Sequence, residues 1–227
     1  MKKIALLATF LLAGFWTLTA QQDFYGTVDY QFEMEGPNVD MVAFMMPEKM
    51  VVQYGKKGMK MFFVGGMMAD MMGQIVLNGK TNQIFQLKTD EQTAYIMGPE
   101  DLEGQNAGEP DEVVKELEVI KIQGYLCQKY KAITRDEEGN ESVQYIWTTE
   151  ALRAPEVGSP EMRAMTGMNI GAKGVPGFPM KSQTYEPNSD MTITLTATNL
   201  DFTKLKNKDF QVPKGYAVEE FVIEDSE

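Results

Sequence analysis

The stretch "MKMFFVGGMMADMMGQIV", Met59 to Val76, places six thioethers in eighteen positions. Two kinds of chemistry are open to it. Thioethers are good Cu(I) ligands, and Met67, Met68, Met71 and Met72 offer four of them within six positions. Methionine is also unbranched, polarizable and adaptable, which suits a wall that must fit apolar molecules of variable shape. On that second reading Met41, Met50, Met59, Met61 and Phe63 line a bent sheet, and Met67, Met68, Met71 and Met72 form a short helix or flap above it. Gly65 and Gly66 let the flap leave its strand. An ordinary methionine-rich core without a ligand is the third possibility. Copper has against it that no His or Cys stands beside the array, and that alternation already demands an apolar strand face from many of these residues.

Other chemistry is largely excluded. The chain contains no histidine, which removes Ser-His-Asp and Cys-His catalysis, His-ligated zinc and imidazole pH switching. A carboxylate pair could still hydrolyse a glycoside, but the acidic residues are scattered or gathered in evident loops. No nucleotide-binding loop, CxxC pair, GxSxG elbow, calcium loop or internal repeat is present. The glycine-rich segment Gly171–Met180 lacks a following helix and reads as a shaped loop feeding a strand rather than a phosphate cradle. The chain is read as a non-enzyme without a cofactor.

The N-terminus sets the compartment. "MKKIALLATFLLAGFWTLTAQQ" has two lysines, a short apolar core and small residues before a Gln pair, the pattern of a secretory signal peptide over residues 1–20. Cleavage after Ala20 leaves 207 of the 227 residues, with no later apolar run long enough for a transmembrane helix. The expected product is soluble, and periplasmic or secreted. The single cysteine, Cys127, lies far from the cleavage point, so no lipoprotein anchor is implied, and one cysteine leaves no internal disulfide. Loss of Lys2 and Lys3 takes the net charge from −12 to −14. Nucleic acid and anionic membrane surfaces are therefore not expected partners. A lipid or other apolar small molecule is compatible, and no protein partner is identifiable.

The elements that must position these residues read as strands. Phe24 to Met34 alternates apolar and polar residues. Similar runs recur at Met41–Met46, Met50–Tyr54, Met59–Val64, Gln74–Leu77, Gln83–Leu87 and Thr93–Met97, joined by the turns "YGKKG", "NGKT" and "KTDEQ". Gly98 to Glu112 is acidic, rich in Gly and Pro, and expected to form a mobile surface loop. Strands resume at Leu117–Ile122, Tyr125–Thr134, Ser142–Thr148, Met180–Tyr185 and Met191–Phe202. The clearest helix start is "GSPEMRAMTG", with Ser159 as cap, Pro160 in the first position and Gly167 as the stop. Eleven of the 17 methionines after the leader fall between Met34 and Met72. Residues 21–227 form one β-rich domain on this reading.

The C-terminal half carries a resemblance. "IKIQGYLCQKYKAI" (Ile120–Ile133), "ESVQYIWTTEAL" (Glu141–Leu152), "GFPMKSQTY" (Gly177–Tyr185) and "FQVPKGYAVEE" (Phe210–Glu220) follow the order of motifs in the DUF4412 family, exported proteins of unknown function frequent in Bacteroidetes. More distantly, the resemblance implies kinship with LolA-like and LppX-like lipid carriers. It thus implies a β-rich α+β fold: a strongly bent antiparallel sheet or incomplete β-barrel with short helices over the concave face. The family supplies no catalytic residues. Tyr125, Cys127, Trp147, Pro179, Pro213, Gly215 and Tyr216 are motif positions whose expected work is strand packing and turn geometry.

N-terminal sequencing and intact mass of the protein from its host should find Gln21 as the first residue. Retention of Met1 to Trp16 would refute the signal-peptide assignment.

Overall fold

Period-two patterning decides the first half of the molecule. The structure is a computed structural model describing residues 21–37, 39–98, 110–135, 139–158, 172, 174–186 and 190–221. In β2 (Gly26–Glu35) Val28, Tyr30, Phe32 and Met34 share one face. From there β3 (Lys49–Tyr54), β4 (Gly58–Val64), β5 (Gln74–Asn78), β6 (Gln83–Lys88) and β7 (Thr93–Met97) run as an antiparallel meander. Register keeps the apolar faces aligned across it: Val28 lies opposite Val52, Val52 opposite Met61, and Met61 opposite Ile75. A second row runs from Tyr54 through Met59 and Leu77 to Ile84 and Met97. Each is a ladder of cross-strand side-chain pairs, the unit from which a sheet draws its stability.

The second half joins the same sheet. β8 (Glu112–Ile122), β9 (Tyr125–Arg135), β10 (Glu141–Thr149), β12 (Phe178–Glu186) and β13 (Met191–Asp201) stack in order, and β13 pairs with β2. β14 (Ala217–Glu220) adds in parallel to β7. The twelve-stranded order is therefore β14-β7-β6-β5-β4-β3-β2-β13-β12-β10-β9-β8. The sheet is bent and mixed, and it does not close into a barrel. A two-residue parallel pair of β1 (Gln22–Asp23) with β11 (Leu152–Arg153) stands apart from it.

Bending lets one face bury itself. Residues of both halves form one core, in which Phe24, Tyr54 and Phe178 pack edge to face or tilted with ring centroids 5.0–5.8 Å apart. The Tyr30 hydroxyl donates to the Pro179 carbonyl at 2.8 Å, joining β2 to β12 across the bend. Leu152 and Val157, from the chain after β10, complete this end, where Val157 Cγ1 would lie 2.9 Å from any side chain placed at Gly79.

The opposite face of β5–β7 is covered by the C-terminal chain. Phe210, in a 3₁₀ turn (Asn207–Phe210), is buried with Val76, Phe85, Leu87 and Ala94, flanked by Leu205, Val212 and Tyr216. This double coverage explains the unbroken buried runs Ile75–Asn78 and Ile84–Leu87. Gly55 and Gly58 make it possible. A side chain at either would begin 2.2 Å from Phe210, so the glycines expected as turn residues of "YGKKG" serve instead to admit an aromatic ring.

Three other expectations change. Met41–Met46 is not a strand: Val39–Val42 forms a helical turn, α1, followed by non-strand turn residues. The run "MVAFMM" is apolar almost throughout, a pattern for which periodicity does not separate strand from helix. The "NGKT" hairpin forms, but its left-handed residue is Asn82 (φ 56°) and not Gly79, while Asn78 Oδ1 accepts from the Lys80 and Thr81 amides at 3.0 and 3.4 Å. β8 begins at Glu112, five residues before the expected Leu117, directly at the end of the acidic segment. The helix expected after Ser159, the leader and residues 99–109 lie outside the described residues.

Phe210→Ala should lower unfolding free energy by about 3–5 kcal/mol, and Gly55→Ala by about 1–3 kcal/mol through overpacking. Urea titration of both variants checks this, and an unchanged midpoint in both would mean that the ring is not seated there.

Candidate functional site

The methionine stretch divides in space into three parts. Met50, Met59 and Met61 sit in the core at 4, 8 and 7 % exposure, on the face that alternation assigned them. Phe63 continues the row but is half-buried, tilted against Phe32 with centroids 5.8 Å apart. The chain then leaves β4 through Gly65 (φ 77°) and Gly66 (φ 69°), both in conformations that a side chain disfavours, and forms α2 (Gly66–Met72). The expected glycine break is present, and a short helix follows it.

On α2 the spacing i, i+4 pairs Met67 with Met71 and Met68 with Met72. Met67 and Met71 face solvent at 45 and 61 % exposure, whereas Met68 and Met72 are half-buried. Met41 belongs to α1, and α1 is coupled to α2 by its following turn: the Met67 and Met68 amides donate to the Phe44 and Met45 carbonyls at 3.4 and 2.9 Å. The nine predicted residues are therefore not one wall. Three are core, one is at its margin, four are on a rim helix, and one is on the turn that braces that helix.

α2 is held down at its C-terminal end. Gln86 Nε2 donates to the Met72 carbonyl at 2.9 Å, and Lys88 Nζ donates to the Met71 carbonyl and, at 3.4 Å, to that of Asp70. A cation at a helix C-terminus is also favoured by the helix dipole. Beneath α2 lies an open cleft of about 690 Å³, lined by Phe62, Phe63, Gly65, Ala69 and Gln74, with Asp70, Lys88, Thr89 and Asp90 adding polarity. Phe63 is the one residue of the predicted set in that lining.

Along the core face, burial falls from one end to the other. Phe24, Val28, Tyr30, Leu77 and Phe178 are fully buried where Leu152 and Val157 close the bend. Towards α2, Phe32, Met34, Phe63 and Leu195 are only half-buried, with Phe32 opposite Leu195 and Phe63 opposite Met50. Sequence patterning marked Phe32 as apolar but gave no way to place Leu195 beside it, because that needs the register of strands some 160 residues apart. Lys88 and Gln86 were likewise missed, since alternation marks neither as a helix tether.

The motif positions that follow are engaged in packing, pairing or turn geometry. Cys127 is buried and its thiol is pushed up to about 11, chiefly by burial. Trp147 Nε1 donates to Glu118 Oε1 at 2.8 Å, which with neighbouring lysines holds the Glu118 carboxyl below its ordinary range. Lys129 and Lys181 lie 5.0 and 4.9 Å from the Trp147 ring centre. Tyr216 packs against the Phe210 cluster, and Gly215 takes a left-handed φ of 93°. Among the described residues no helix is long and apolar enough to cross a membrane.

These features define a β protein built on one bent, open sheet with an apolar face fully closed at one end. The chain belongs to the DUF4412 family, a domain of unknown function, whose model matches residues 24–216. No curated protein matches the chain significantly. Among solved structures it is similar to an uncharacterized conserved protein from Thermus thermophilus, at 9 % identity and TM-score 0.46, covering 86 % of this chain and 91 % of that one. It is also similar to PNGF-II, at 15 % identity and TM-score 0.43, covering 86 % of this chain and 31 % of that one. A third is a LolA superfamily protein from Nitrosomonas europaea, at 13 % identity and TM-score 0.33, covering 84 and 90 % of the two chains. With TM-scores below 0.5, none of the three carries a functional argument.

Cys127 should resist a thiol reagent in the folded protein and react fully once the domain is unfolded. Because its folded pKa is raised, the associated stability is complete below the ordinary thiol value of 9.0 and is lost as pH rises through about 11. Stoichiometric labelling within seconds at neutral pH would contradict the buried placement.

Proposed function

We propose that this is an exported, non-catalytic protein that binds a lipid or other apolar ligand against the core face of its bent sheet, with α2 as the flap at the open end. The observation that supports the reading is the gradient of burial along that face. Apolar side chains of three strands, among them Phe32, Phe63 and Leu195, continue past the point where the core is sealed and stay half-buried. Such a surface is left unfilled at a cost, since exposed apolar area forgoes about 25 cal/mol per Å². Methionines beside it can repack around chains of different shape.

The energetics are adequate. Burying an acyl chain gains about 0.8 kcal/mol per CH₂. Association and ordering remove several kcal/mol of this, leaving room for about −8 kcal/mol, or micromolar affinity. No charge pairing is required, which fits a chain of net charge −12.

The test is displacement of a fluorescent fatty-acid probe from the purified mature protein, alongside thermal unfolding. Phe63→Ser and Leu195→Ser should each weaken probe binding by about tenfold with the fold retained. Absence of saturable binding by the wild type would reduce this face to plain core. Tight Cu(I) uptake lost on changing Met67, Met68, Met71 and Met72 to Leu would instead make α2 a metal site.

A further inference from the structure

We infer that the corner where the C-terminal chain meets the β3–β4 turn is a binding site for phosphate-bearing molecules, independent of the apolar face. Two short loops contribute five lysines, Lys56 and Lys57 in "YGKKG" and Lys204, Lys206 and Lys208 in "FTKLKNKDF". They are remote in sequence and meet because Phe210 seats against Gly55 and Gly58. The cleft between them, of about 380 Å³, is lined by Lys56, Lys204 and Lys206 together with Asn207, Tyr25 and Leu205 and, among the described residues, by no carboxylate.

That composition is unusual for this molecule. Acidic residues outnumber basic ones by 33 to 21, yet among the described residues the charged groups lining this cleft are all cationic. Of the acidic side chains nearest in sequence, Asp201 accepts from the Thr203 amide at 2.9 Å and Asp23 pairs with Arg153 at 2.6 Å while also accepting from the Tyr25 hydroxyl at 3.5 Å; Asp209 accepts from the Lys206 amide at 2.7 Å, held to the backbone beside the cleft. The global negative charge does not decide the matter, because at physiological ionic strength charges beyond about 8 Å are largely screened. Three ammonium groups sharing one concavity therefore set the local potential.

The ligand class follows from charge and shape. A phosphate ester carries about −1 to −2 at neutral pH and presents several strong acceptor oxygens. Lysines meet it as mobile point charges, each with three donors. Asn207 adds an amide, while the Tyr25 ring and Leu205 offer an apolar side to the carbon skeleton of an organic phosphate. The volume is near the small end of ligand sites, which suits a phosphorylated headgroup or sugar phosphate. Neither source is favoured by the cleft itself.

The experiment uses the mature protein with two probes, inorganic pyrophosphate followed by calorimetry and phosphatidylglycerol vesicles followed by co-sedimentation, with phosphatidylcholine vesicles as control. The triple variant Lys56→Gln, Lys204→Gln, Lys206→Gln is compared with Lys80→Gln, Lys115→Gln, Lys121→Gln, which removes the same charge elsewhere. All six are exposed, and thermal unfolding is followed to confirm retention of the fold. Saturable binding of at least one probe is expected, weakened at least tenfold by the first triple and less than twofold by the second. Pyrophosphate binding identifies a free phosphate as sufficient, and binding confined to phosphatidylglycerol identifies a lipid headgroup. No saturable binding of either, or equal weakening by both triples, overturns the site.

Discussion

A sheet of twelve strands that does not close has two broad faces, and bending can hide only one of them. The second is polar and wet over β2, and where it is apolar, over β5–β7, it must be covered by something else. Here the covering is the chain from Leu205 to Tyr216, pinned by one phenylalanine that fits only because two glycines of the β3–β4 turn have no side chains. The rest follows from that division. The inner face is free to vary its degree of filling along its length, and β5 and β6 can be apolar on both sides without being exposed.

Local order was legible where a strand has one wet face. β2 and β4 announce themselves through strict alternation, and the paired glycines after β4 marked the place where the chain turns into α2. Legibility failed in two ways. "MVAFMM" is too uniformly apolar for periodicity to choose between states, and it is settled by hydrogen bonds to α2 that no local pattern records. Gly55 and Gly58 looked like turn chemistry because they stand in a turn, but the partner that requires them lies some 150 residues away. The candidate site was half visible for the same reason. Its methionines could be assigned to faces, while Leu195, Gln86 and Lys88 join it through register and through side-chain bonds to carbonyls.

Methionine does two different jobs in one short stretch. At Met50, Met59 and Met61 it fills the space between neighbouring strands, where an unbranched chain tolerates irregular surroundings. At Met67 and Met71 the same side chain stands in water on a two-turn helix that contributes no buried residue. A helix so short is not stable by propensity alone. It is held by amides that donate to the α1 turn and by carbonyls that accept from Gln86 and Lys88. Its attachment is thus made of a few exchangeable bonds and not of packed core.

The pairing of β2 with β13 has one more consequence. Val28 lies opposite Leu200, so the second strand of the fold has one lateral neighbour close in sequence and another some 170 residues away. Contacts of such separation form slowly, because the intervening chain must lose its freedom before any of them is rewarded. While the chain emerges from its N-terminus, the meander can hydrogen-bond within itself but has neither its inner closure nor its outer cover. A polypeptide built in this way completes the lateral pairing of its second strand, and the cover over β5–β7, only when its last fifth arrives.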